Sequence, residues 1–303
     1  MSSIVKTINL CKTYGKQRVV DSFSMDIKEG HIYGLIGPNG AGKTTIMKMV
    51  AGLVSQDGGK ISLFGDEKNL EKSREHMSFM IEAPYLDTSM TAYENMQYIS
   101  KLRNVNDNNR ICEVLKFIGL ENTGKKQVKN FSLGMKQRLG IGMALLPNPK
   151  VMILDEPING LDPEGIVDVR NKLKYLCEKE SITIVISSHI LSELAELCTD
   201  FIIINKGKMI ETFSADELKD KCRSYIAIKT NDMDKTIDIL KSNLAVCTFE
   251  MTDTGEIHLY EKIDELEQVS KTLTDGGVII TKFAVEGESL EEYYMSKVEV
   301  ENE

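Results

Sequence analysis

Residues suited to binding a polyphosphate stand close together near the start of the chain. Residues 37–45 read GPNGAGKTT and fit the phosphate-loop pattern Gly-x-x-x-x-Gly-Lys-Ser/Thr. The glycines allow the backbone to curl into a nest whose N–H groups point at phosphate oxygens. Lys43 adds a mobile positive charge, and the Thr44 hydroxyl is suited to bind Mg²⁺. The stretch is therefore predicted to cradle a magnesium-bound polyphosphate.

The segments on either side of this loop support the same prediction. Residues 31–36 form a short apolar run typical of a buried strand, and residues 44–53 place Ile46, Met49 and Val50 on one helical face. A loop between a strand and a helix brings phosphates to the positive end of the helix dipole. A glycine-rich turn without a ligand is the alternative, and the complete pattern in this context disfavours it.

Two adjacent carboxylates form the second chemical signal. Asp155 and Glu156 follow the apolar residues 151–154, which read as a buried strand. Asp155 can hold the Mg²⁺ shell, while Glu156 can orient or deprotonate a water in line with the γ-phosphate. Acid pairs at strand ends also occur without a function. This pair follows a complete phosphate loop, which favours the catalytic interpretation.

Composition limits the class of protein. The 303 residues are 42% hydrophobic, enough to pack one large or two modest domains, and we expect two. A formal net charge of −9 argues against a broad nucleic-acid-binding surface, because such a surface needs clustered Lys and Arg. No apolar run approaches the length of about 18 residues that a membrane span needs, so we expect that this chain does not cross a membrane itself.

The cysteines favour a reducing compartment. All six are scattered, without a Cys-x-x-Cys pair or a Cys/His cluster, so the sequence indicates neither a zinc site nor a disulfide framework. We interpret them as small core residues of a cytosolic protein. They are Cys11, Cys112, Cys177, Cys198, Cys222 and Cys247.

Periodicity divides the chain into an α/β domain and a smaller domain. We expect short antiparallel β segments before the phosphate loop, and an inserted helical subdomain over about residues 84–146 with Thr91 as a helix cap. The alternating strands and helices that follow are typical of a parallel sheet. This first domain is expected to span residues 1–220.

Residues 221–303 show a different order of elements. The pattern predicts strand, helix, strand, strand, helix and strand, which is the order of a small ferredoxin-like α+β module. The expected strands are residues 225–229, 245–251, 256–260 and 278–285, and the expected helices are residues 232–242, 263–275 and 289–297. The module shows no constellation of ligand-binding residues, and we interpret its acidic end, residues 286–303, as a solvated helix and tail.

Over residues 3 to about 220 the sequence resembles the ATP-binding cassette (ABC) ATPases, the nucleotide-hydrolysing subunits of ABC transporters. Between the phosphate loop and the acid pair, the run FSLGMKQR keeps Ser132 and Gly134 of the family's Leu-Ser-Gly-Gly-Gln signature. The resemblance implies that Ser132, Gly134 and Gln137 contact ATP held by a partner subunit. A serine hydroxyl, the N–H groups of a glycine backbone and a helix N-terminus can all bind an anion.

The resemblance also implies roles outside the signature. Asp162 is expected to communicate across a dimer, His189 to sense the γ-phosphate, and Tyr14 to stack on adenine. Alone, Tyr14 and His189 would more often be structural residues. The implied ATP-binding residues are Tyr14, Gly37, Pro38, Asn39, Gly40, Ala41, Gly42, Lys43, Thr44 and Thr45. The implied catalytic residues are Glu156, His189 and Glu82, and the implied Mg²⁺ ligands are Thr44, Asp155 and Glu82.

Two local features depart from the common family pattern. Phe131, Leu133 and Met135 replace Leu, Gly and Gln of the signature, and Glu82 stands where most members have Gln. A carboxylate at this position can add a metal ligand or act as a competing base. Both variants are similar to the branch of ABC exporters that expel peptide antibiotics, in lantibiotic self-protection and bacitracin-type resistance.

The resemblance implies that the chain works with partners. One chain carries one phosphate loop and one signature, so two ATPase subunits, identical or paired, are expected to form a head-to-tail dimer around ATP and Mg²⁺. Separate transmembrane permease subunits are expected to form the pathway, which places this chain in the cytoplasm, peripheral on the inner face of the cell membrane. No nucleic-acid partner is expected. The alternatives are a soluble ABC-type ATPase acting on nucleic acid or ribosomes, a non-catalytic regulatory cassette and an importer subunit.

Overall fold

A computed structural model describes residues 2–105, 107–252, 255–287 and 289–300, with the backbone alone for residues 299 and 300. The chain divides into two compact units, Met1–Ala215 and Asp216–Glu303. The domain boundary expected after residue 220 falls inside a helix that begins at Ala215. The last three residues of the predicted acidic tail lie outside the described residues.

The first unit opens with a β-hairpin and then alternates strands with helices. Its strands are β1 (Ser3–Tyr14), β2 (Gln17–Lys28), β3 (Ile32–Ile36), β4 (Gly58–Leu63), β5 (Met77–Met80), β6 (Val151–Asp155), β7 (Thr183–Ser187), β8 (Asp200–Asn205) and β9 (Lys208–Ser214). Its helices are α1 (Lys43–Ala51), α2 (Leu70–Arg74), α3 (Ala92–Leu102), α4 (Asn108–Phe117), α5 (Leu133–Leu145), α6 (Pro163–Glu180) and α7 (Leu191–Leu197). Helix α8 (Ala215–Lys221) begins at the last residue of this unit.

A six-stranded sheet forms the centre of the first unit. Its strand order is β5-β6-β7-β3-β8-β9, and every pair is parallel except β8 with β9. Strands β3, β6 and β7 are buried along their full length, as the apolar runs of a parallel sheet usually are. Their carboxyl ends meet at one edge, where α/β proteins commonly bind ligands. The phosphate loop and Asp155 both lie at this edge.

A separate antiparallel sheet carries the N-terminal hairpin. Its strand order is β2-β1-β4. The inner side chains Leu10 and Phe23 share one core with Ile46 of α1 and Ile153 of β6. Helix α1, which contacts both β2 and β6, therefore links the two sheets directly after the phosphate loop.

Helices α3, α4 and α5 occupy the region that the sequence assigned to a helical subdomain. Thr91 caps α3 in a capping box with Glu94, so the predicted cap is confirmed. Helix α5 comes close to the start of this region at Gly140, where a Cβ would lie 2.5 Å from the Cβ of Pro84. A glycine is needed there because the backbone of α5 touches the segment that follows β5.

The second unit is built on an antiparallel sheet. Its strands are β10 (Tyr225–Thr230), β11 (Phe249–Met251), β12 (Ile257–Leu259) and β13 (Ile280–Glu286), and its helices are α9 (Met233–Leu244), α10 (Leu266–Asp275) and α11 (Leu290–Val300). The strand order is β11-β12-β10-β13, so each strand–helix–strand connection passes over one intervening strand. This is the split βαβ arrangement of ferredoxin-like modules that the sequence predicted.

Two elements of the second unit begin at least three residues later than the sequence predicted. The strand expected over residues 245–251 begins only at Phe249, because Ala245 adopts a φ of +51° and ends α9 as its C-cap. The helix expected from residue 263 begins with a 3₁₀ turn and becomes α-helical at Leu266. Both differences lie at helix ends, where sequence patterns are weakest.

The structure also bears on two expectations drawn from composition. All six cysteine thiols are free, and burial raises the pKa of the Cys177 thiol to about 11. Cys198 is also buried, but Cys112 and Cys247 are exposed, so the core interpretation is wrong for these two.

Throughout the described residues, the helices are too short or too polar to span a bilayer.

Candidate active site

The phosphate loop leaves β3 and runs directly into α1. Gly40 and Gly42 have φ values of +82° and +105°, in the left-handed region that favours glycine. A Cβ at Gly37 would lie 2.4 Å from the Ile204 carbonyl oxygen, and one at Gly42 would lie 2.9 Å from the Val19 carbonyl oxygen. The fold itself therefore requires glycine at these positions.

The turn between β8 and β9 supports the phosphate loop. The Gly207 N–H donates to the Ala41 carbonyl at 2.9 Å, and the Asp21 N–H donates to the Gly207 carbonyl at 2.9 Å. Gly207 has a φ of +79°, and a Cβ there would lie 2.3 Å from the Val19 carbonyl oxygen. Sequence reasoning missed this turn, because only the pairing of β3 with β8 brings it to the loop.

Lys43 places a buried cation at the start of α1. Its ammonium donates to the carbonyls of Gly37 at 2.6 Å and Pro38 at 3.2 Å. Burial lowers the pKa of Lys43, while the carboxylates of Glu156 and Asp155 oppose that change. Within the described structure, no side chain caps the first turn of α1 and no acidic residue stands in it. The helix end and the ammonium together form a positive site for an anion.

Hydroxyl groups from two other elements hold the Asp155 carboxylate. Thr44 Oγ1 donates to Asp155 Oδ2 at 2.7 Å, and Ser187 Oγ donates to Asp155 Oδ1 at 2.5 Å. Asp155 and Ser187 are direct partners in the register of β6 and β7, which fixes their contact. The buried carboxylate is thereby directed at the hydroxyl of the phosphate loop.

Glu156 follows β6 in a backbone conformation that is uncommon outside glycine. Its φ is +50°, and its N–H donates to Ser187 Oγ at 3.0 Å. Its Oε2 lies 2.8 Å from Nδ1 of His189, whose side chain is half exposed. The structure thus brings the predicted acid and the predicted histidine into contact. Sequence reasoning missed Ser187, whose only local signal is its place at the end of a buried strand beside Ser188.

The loop and the acid pair line one cavity of about 220 Å³. The sequence also predicted most of its lining, and β2 adds Val19, which the sequence did not indicate. The lining residues are Val19, Asn39, Gly40, Ala41, Gly42, Lys43, Thr44, Thr45, Asp155 and Glu156.

The side chains around this cavity fit a magnesium-bound triphosphate. The Thr44 hydroxyl and the Asp155 carboxylate are hard oxygen donors of the kind that Mg²⁺ prefers, and Lys43 supplies a cation for phosphate oxygens. Across the described residues, no three His, Cys, Asp or Glu side chains cluster as a metal site. Mg²⁺ usually binds through one or two carboxylates plus substrate phosphates, so a single buried carboxylate suits it.

Four residues that the sequence assigned to ATP or metal lie outside the lining of this cavity, namely Tyr14, Gly37, Pro38 and Glu82. Tyr14 ends β1 with its ring half exposed, and the Lys12 ammonium lies 5.5 Å from the ring centroid. Glu82 follows β5, and its Oε1 lies 2.5 Å from Nζ of Lys48. In the described structure the Glu82 carboxylate therefore pairs with Lys48, and its place beside Thr44 as a Mg²⁺ ligand stays a prediction.

Residues of the predicted signature line a second cavity, of about 580 Å³. Ser132 is the N-cap of α5 and accepts a bond from the Met135 N–H at 3.2 Å. Asp162 is the N-cap of α6 and accepts a bond from the Gly165 N–H at 3.2 Å. Two helix N-termini thus meet at one cavity. Its lining residues are Ser132, Leu133, Gly134, Arg138, Gly160, Leu161, Asp162, Glu164, Gly165 and Asp168.

Gln137 does not occupy the position expected for a signature residue. Its side chain is only 7% exposed and lies outside the described lining of the cavity that Ser132 forms. It shares a buried face of α5 with Ile141 and Leu145, at helical spacing. The structure therefore corrects the expected contact with a partner's ATP, because Gln137 belongs to the core of the helical region.

Solved structures share the fold of this chain. An ATP-binding subunit of an ABC transporter matches with a TM-score of 0.65 and 27% identity, over 72% of this chain and 92% of that one. The cbiO1 protein of Clostridium perfringens, part of the ABC transporter complex cbiONQ, matches with a TM-score of 0.65 and 26% identity, over 73% of this chain and 92% of that one. The fold and the phosphate site together define an ATP-binding cassette.

Sequence comparison identifies the family. The family described as ABC transporter matches residues 20–159. The bacitracin transport ATP-binding protein BcrA of Bacillus licheniformis is 38% identical over 300 residues, which are 98% of each chain. The lantibiotic transport ATP-binding protein SrtF of Streptococcus pyogenes is 46% identical over 208 residues, 68% of this chain and 89% of that one. The chain belongs to the ATP-binding proteins of ABC transporters and is an ATPase, which confirms the resemblance seen in its motifs.

Proposed function

We propose that this protein powers the export of peptide antibiotics, as a dimer of ATPase subunits bound to separate permease subunits. The observation that carries the proposal is the meeting of Lys43, Thr44, Asp155 and Glu156 at one cavity. A buried cation, a hydroxyl paired with a carboxylate and a second carboxylate are the groups that transfer of a phosphoryl group to water requires.

Each of these residues has its own task in the proposed reaction. Lys43 and the N-terminus of α1 bind the phosphates of ATP. Thr44 and Asp155 would hold Mg²⁺, which neutralises charge on the phosphate oxygens when it is bound. Glu156 orients the attacking water and accepts its proton, and His189 fixes the direction of that carboxylate. The fixed backbone of Glu156 supports this assignment.

The signature cavity supports a head-to-tail dimer. Within the described residues, the cavity that holds Ser132 and Asp162 shares no lining residue with the cavity of the phosphate loop. One chain therefore offers half of each of two sites, and two chains related by a twofold axis would complete both. The N-termini of α5 and α6 present positive dipole ends suited to the γ-phosphate of the partner's ATP.

An apolar groove beside Glu82 is the surface that we assign to the permease. The groove has a volume of about 490 Å³ and is lined by residues of β5, α3 and α5 and by the segment that follows β5. Tyr85 is 92% exposed, and Tyr98 and Leu102 are exposed as well. Such a groove suits the apolar face of a helix from a membrane protein. Glu82 stands between two of its lining residues, Ile81 and Ala83, so the groove adjoins a residue that the sequence assigned to the catalytic site.

The relatives support the substrate class. One is named for bacitracin transport and one for lantibiotic transport, and both names denote peptide antibiotics. The bacitracin relative matches almost the full length of this chain, including the second unit. Glu82 and the variant signature point to the same exporter branch. We therefore assign the protein to self-protection or resistance by outward transport of such peptides.

Reconstitution in liposomes tests this proposal. The ATPase is combined with candidate permease subunits, and its hydrolysis rate is measured with bacitracin, a lantibiotic and an unrelated cationic peptide. The proposal predicts stimulation by an antibiotic peptide and none by the unrelated one. An active ATPase that binds its permease but responds to neither antibiotic would contradict the substrate class. Co-purification with ribosomes or nucleic acid in place of a permease would contradict the transport role.

A further inference from the structure

Glu82 and Lys48 form an ion pair between the segment after β5 and helix α1. Glu82 Oε1 lies 2.5 Å from Lys48 Nζ, and the Glu82 backbone has a φ of +64°. The Lys48 side chain is 28% exposed and the Glu82 side chain 66% exposed. The lysine is therefore the better-anchored partner, and it fixes where the more exposed carboxylate points.

Lys48 stands one helical turn after Thr44 on the same helix. That helix begins in the phosphate loop and carries the hydroxyl that contacts Asp155. A pair between Lys48 and Glu82 therefore holds a third carboxylate near a site that already contains those of Asp155 and Glu156. A neutral amide at position 82 would need no counter-ion, but a carboxylate beside phosphates does.

We propose that Lys48 is a positioning residue for Glu82. The Lys48 ammonium neutralises the Glu82 carboxylate and holds that carboxylate against α1, away from the Thr44 and Asp155 side chains. Mg²⁺ must therefore compete with the ammonium for the Glu82 carboxylate. The inference rests on the proposed binding of ATP and Mg²⁺ at Thr44 and Asp155.

Removing the Lys48 ammonium has two consequences, and both raise the affinity for ATP in Mg²⁺ relative to the affinity in EDTA. Without metal, an unpaired Glu82 carboxylate repels the triphosphate and weakens the binding of ATP. With Mg²⁺, the freed carboxylate attracts the ion and strengthens the binding of the complex. The ratio of ATP affinity in Mg²⁺ to ATP affinity in EDTA should therefore rise when Lys48 is replaced.

Calorimetric titration of ATP into the purified full chain measures this ratio without reference to hydrolysis. Lys48→Met, which keeps the length of the apolar stem, should raise the ratio by about two- to fivefold, the range expected for one partly exposed ion pair. Lys48→Arg should restore the wild-type ratio, because it restores the charge. Circular dichroism of each variant confirms that the chain is folded.

The decisive control repeats Lys48→Met in a Glu82→Gln background. There the lysine has no carboxylate to hold, so the substitution should leave the ratio unchanged. Lys48 also lies in the last turn of α1, where a cation favours the helix dipole whatever residue stands at 82. An equal change in both backgrounds, or no change in either, would overturn the proposal in favour of that ordinary role. A wild-type chain that binds ATP equally with and without Mg²⁺ would instead refute the metal site itself.

Discussion

Ser187 links the Asp155 carboxylate to the backbone of Glu156 through a single hydroxyl. The hydroxyl donates to Asp155 Oδ1 and accepts the N–H of Glu156. Ser187 is fully buried, so water does not replace these bonds when the side chain is lost. The carboxylate proposed to hold the metal and the backbone of the residue proposed to act on water are therefore fixed relative to one another by one serine hydroxyl.

Replacing Ser187 tests this coupling. Ser187→Ala should lower the free energy of unfolding by about 1–3 kcal/mol, because it removes bonds from buried polar groups. It should also raise the Mg²⁺ concentration needed for half-maximal hydrolysis by about tenfold, as loss of a residue behind a metal ligand commonly does. Ser188→Ala is the matched control, since Ser188 is equally buried but bonds to the Ile190 N–H. Equal shifts in Mg²⁺ dependence for both variants would contradict the coupling.

We propose that hydrolysis itself depends on Glu156. Glu156→Gln should keep ATP binding, because the phosphate loop is intact, and should lower the turnover number by about 10²–10⁴-fold, the usual contribution of a general base. Steady-state kinetics and an ATP titration measure the two effects separately. Glu178→Gln, on the exposed side of α6, should turn over at the wild-type rate. Hydrolysis near the wild-type rate in Glu156→Gln would refute the role.

At the residue scale, local patterns indicated the groups that we propose to bind the ligand better than they indicated the residues that support those groups. Lys43 and Thr44 belong to a contiguous motif, and Asp155 and Glu156 follow an apolar run. Ser187 is distant in sequence from the acids it binds, and only the register of β6 and β7 brings them together. The pairing of Glu82 with a residue of α1 depends in the same way on tertiary structure.

Among the elements, the turn between β8 and β9 acts as a support for the phosphate loop. Its Gly207 N–H bonds to the loop at Ala41, and its carbonyl accepts the Asp21 N–H from β2. The turn thus connects the loop to the antiparallel sheet. Its shape depends on glycine, because its φ is positive and the Val19 carbonyl leaves no room for a Cβ.

Gly207→Ala should therefore weaken ATP binding as well as the fold. The left-handed conformation alone disfavours alanine by about 1–2 kcal/mol, and the contact with Val19 adds to this. Gly65→Ala is a suitable control, since Gly65 has a φ of +81° but no neighbour within 4 Å of a Cβ. Denaturation and ATP titration should show a loss of stability for both variants and a loss of affinity for Gly207→Ala alone. Unchanged ATP affinity in Gly207→Ala would show that the turn does not support the loop.

The periodicity of apolar residues predicted most helices and strands, because most of these elements are long enough for the periodicity to be visible in the sequence. The strand before the phosphate loop and the helix after it were clear, and so was the order of elements in the second unit. The start of β11 was placed too early because Ala245 ends α9 in a left-handed conformation that usually marks glycine. Gln137 was wrongly assigned to the signature site, because a motif gives the order of residues along the chain but does not show which face of α5 is buried.

At the scale of the whole molecule, the shares of the chain that related proteins match agree with its division into two compact units. Solved ABC structures match 72% and 73% of the chain, whereas the bacitracin transport relative matches 98% of it. The second unit is thus shared with that relative beyond the common ATPase fold. Composition indicated two domains, but the partner of a proposed half-site cannot be read from one sequence, because the surface that would complete it belongs to another molecule.

Mixing two inactive variants tests the central claim, that each ATP is held between two copies of this chain. Lys43→Ala removes the cation of the phosphate loop, and Gly134→Asp places a negative charge in the signature cavity. Each variant alone should be inactive. In a mixed dimer, however, one site combines an intact loop from one copy with an intact signature from the other.

The measurement is the ATPase rate of the two variants, apart and after mixing in equal amounts. The head-to-tail arrangement predicts recovery to about a quarter of the wild-type rate, since half of the dimers would be mixed and each would keep one of two sites. A mixture that remains as inactive as the separate variants, although the copies are shown to exchange, would contradict the claim.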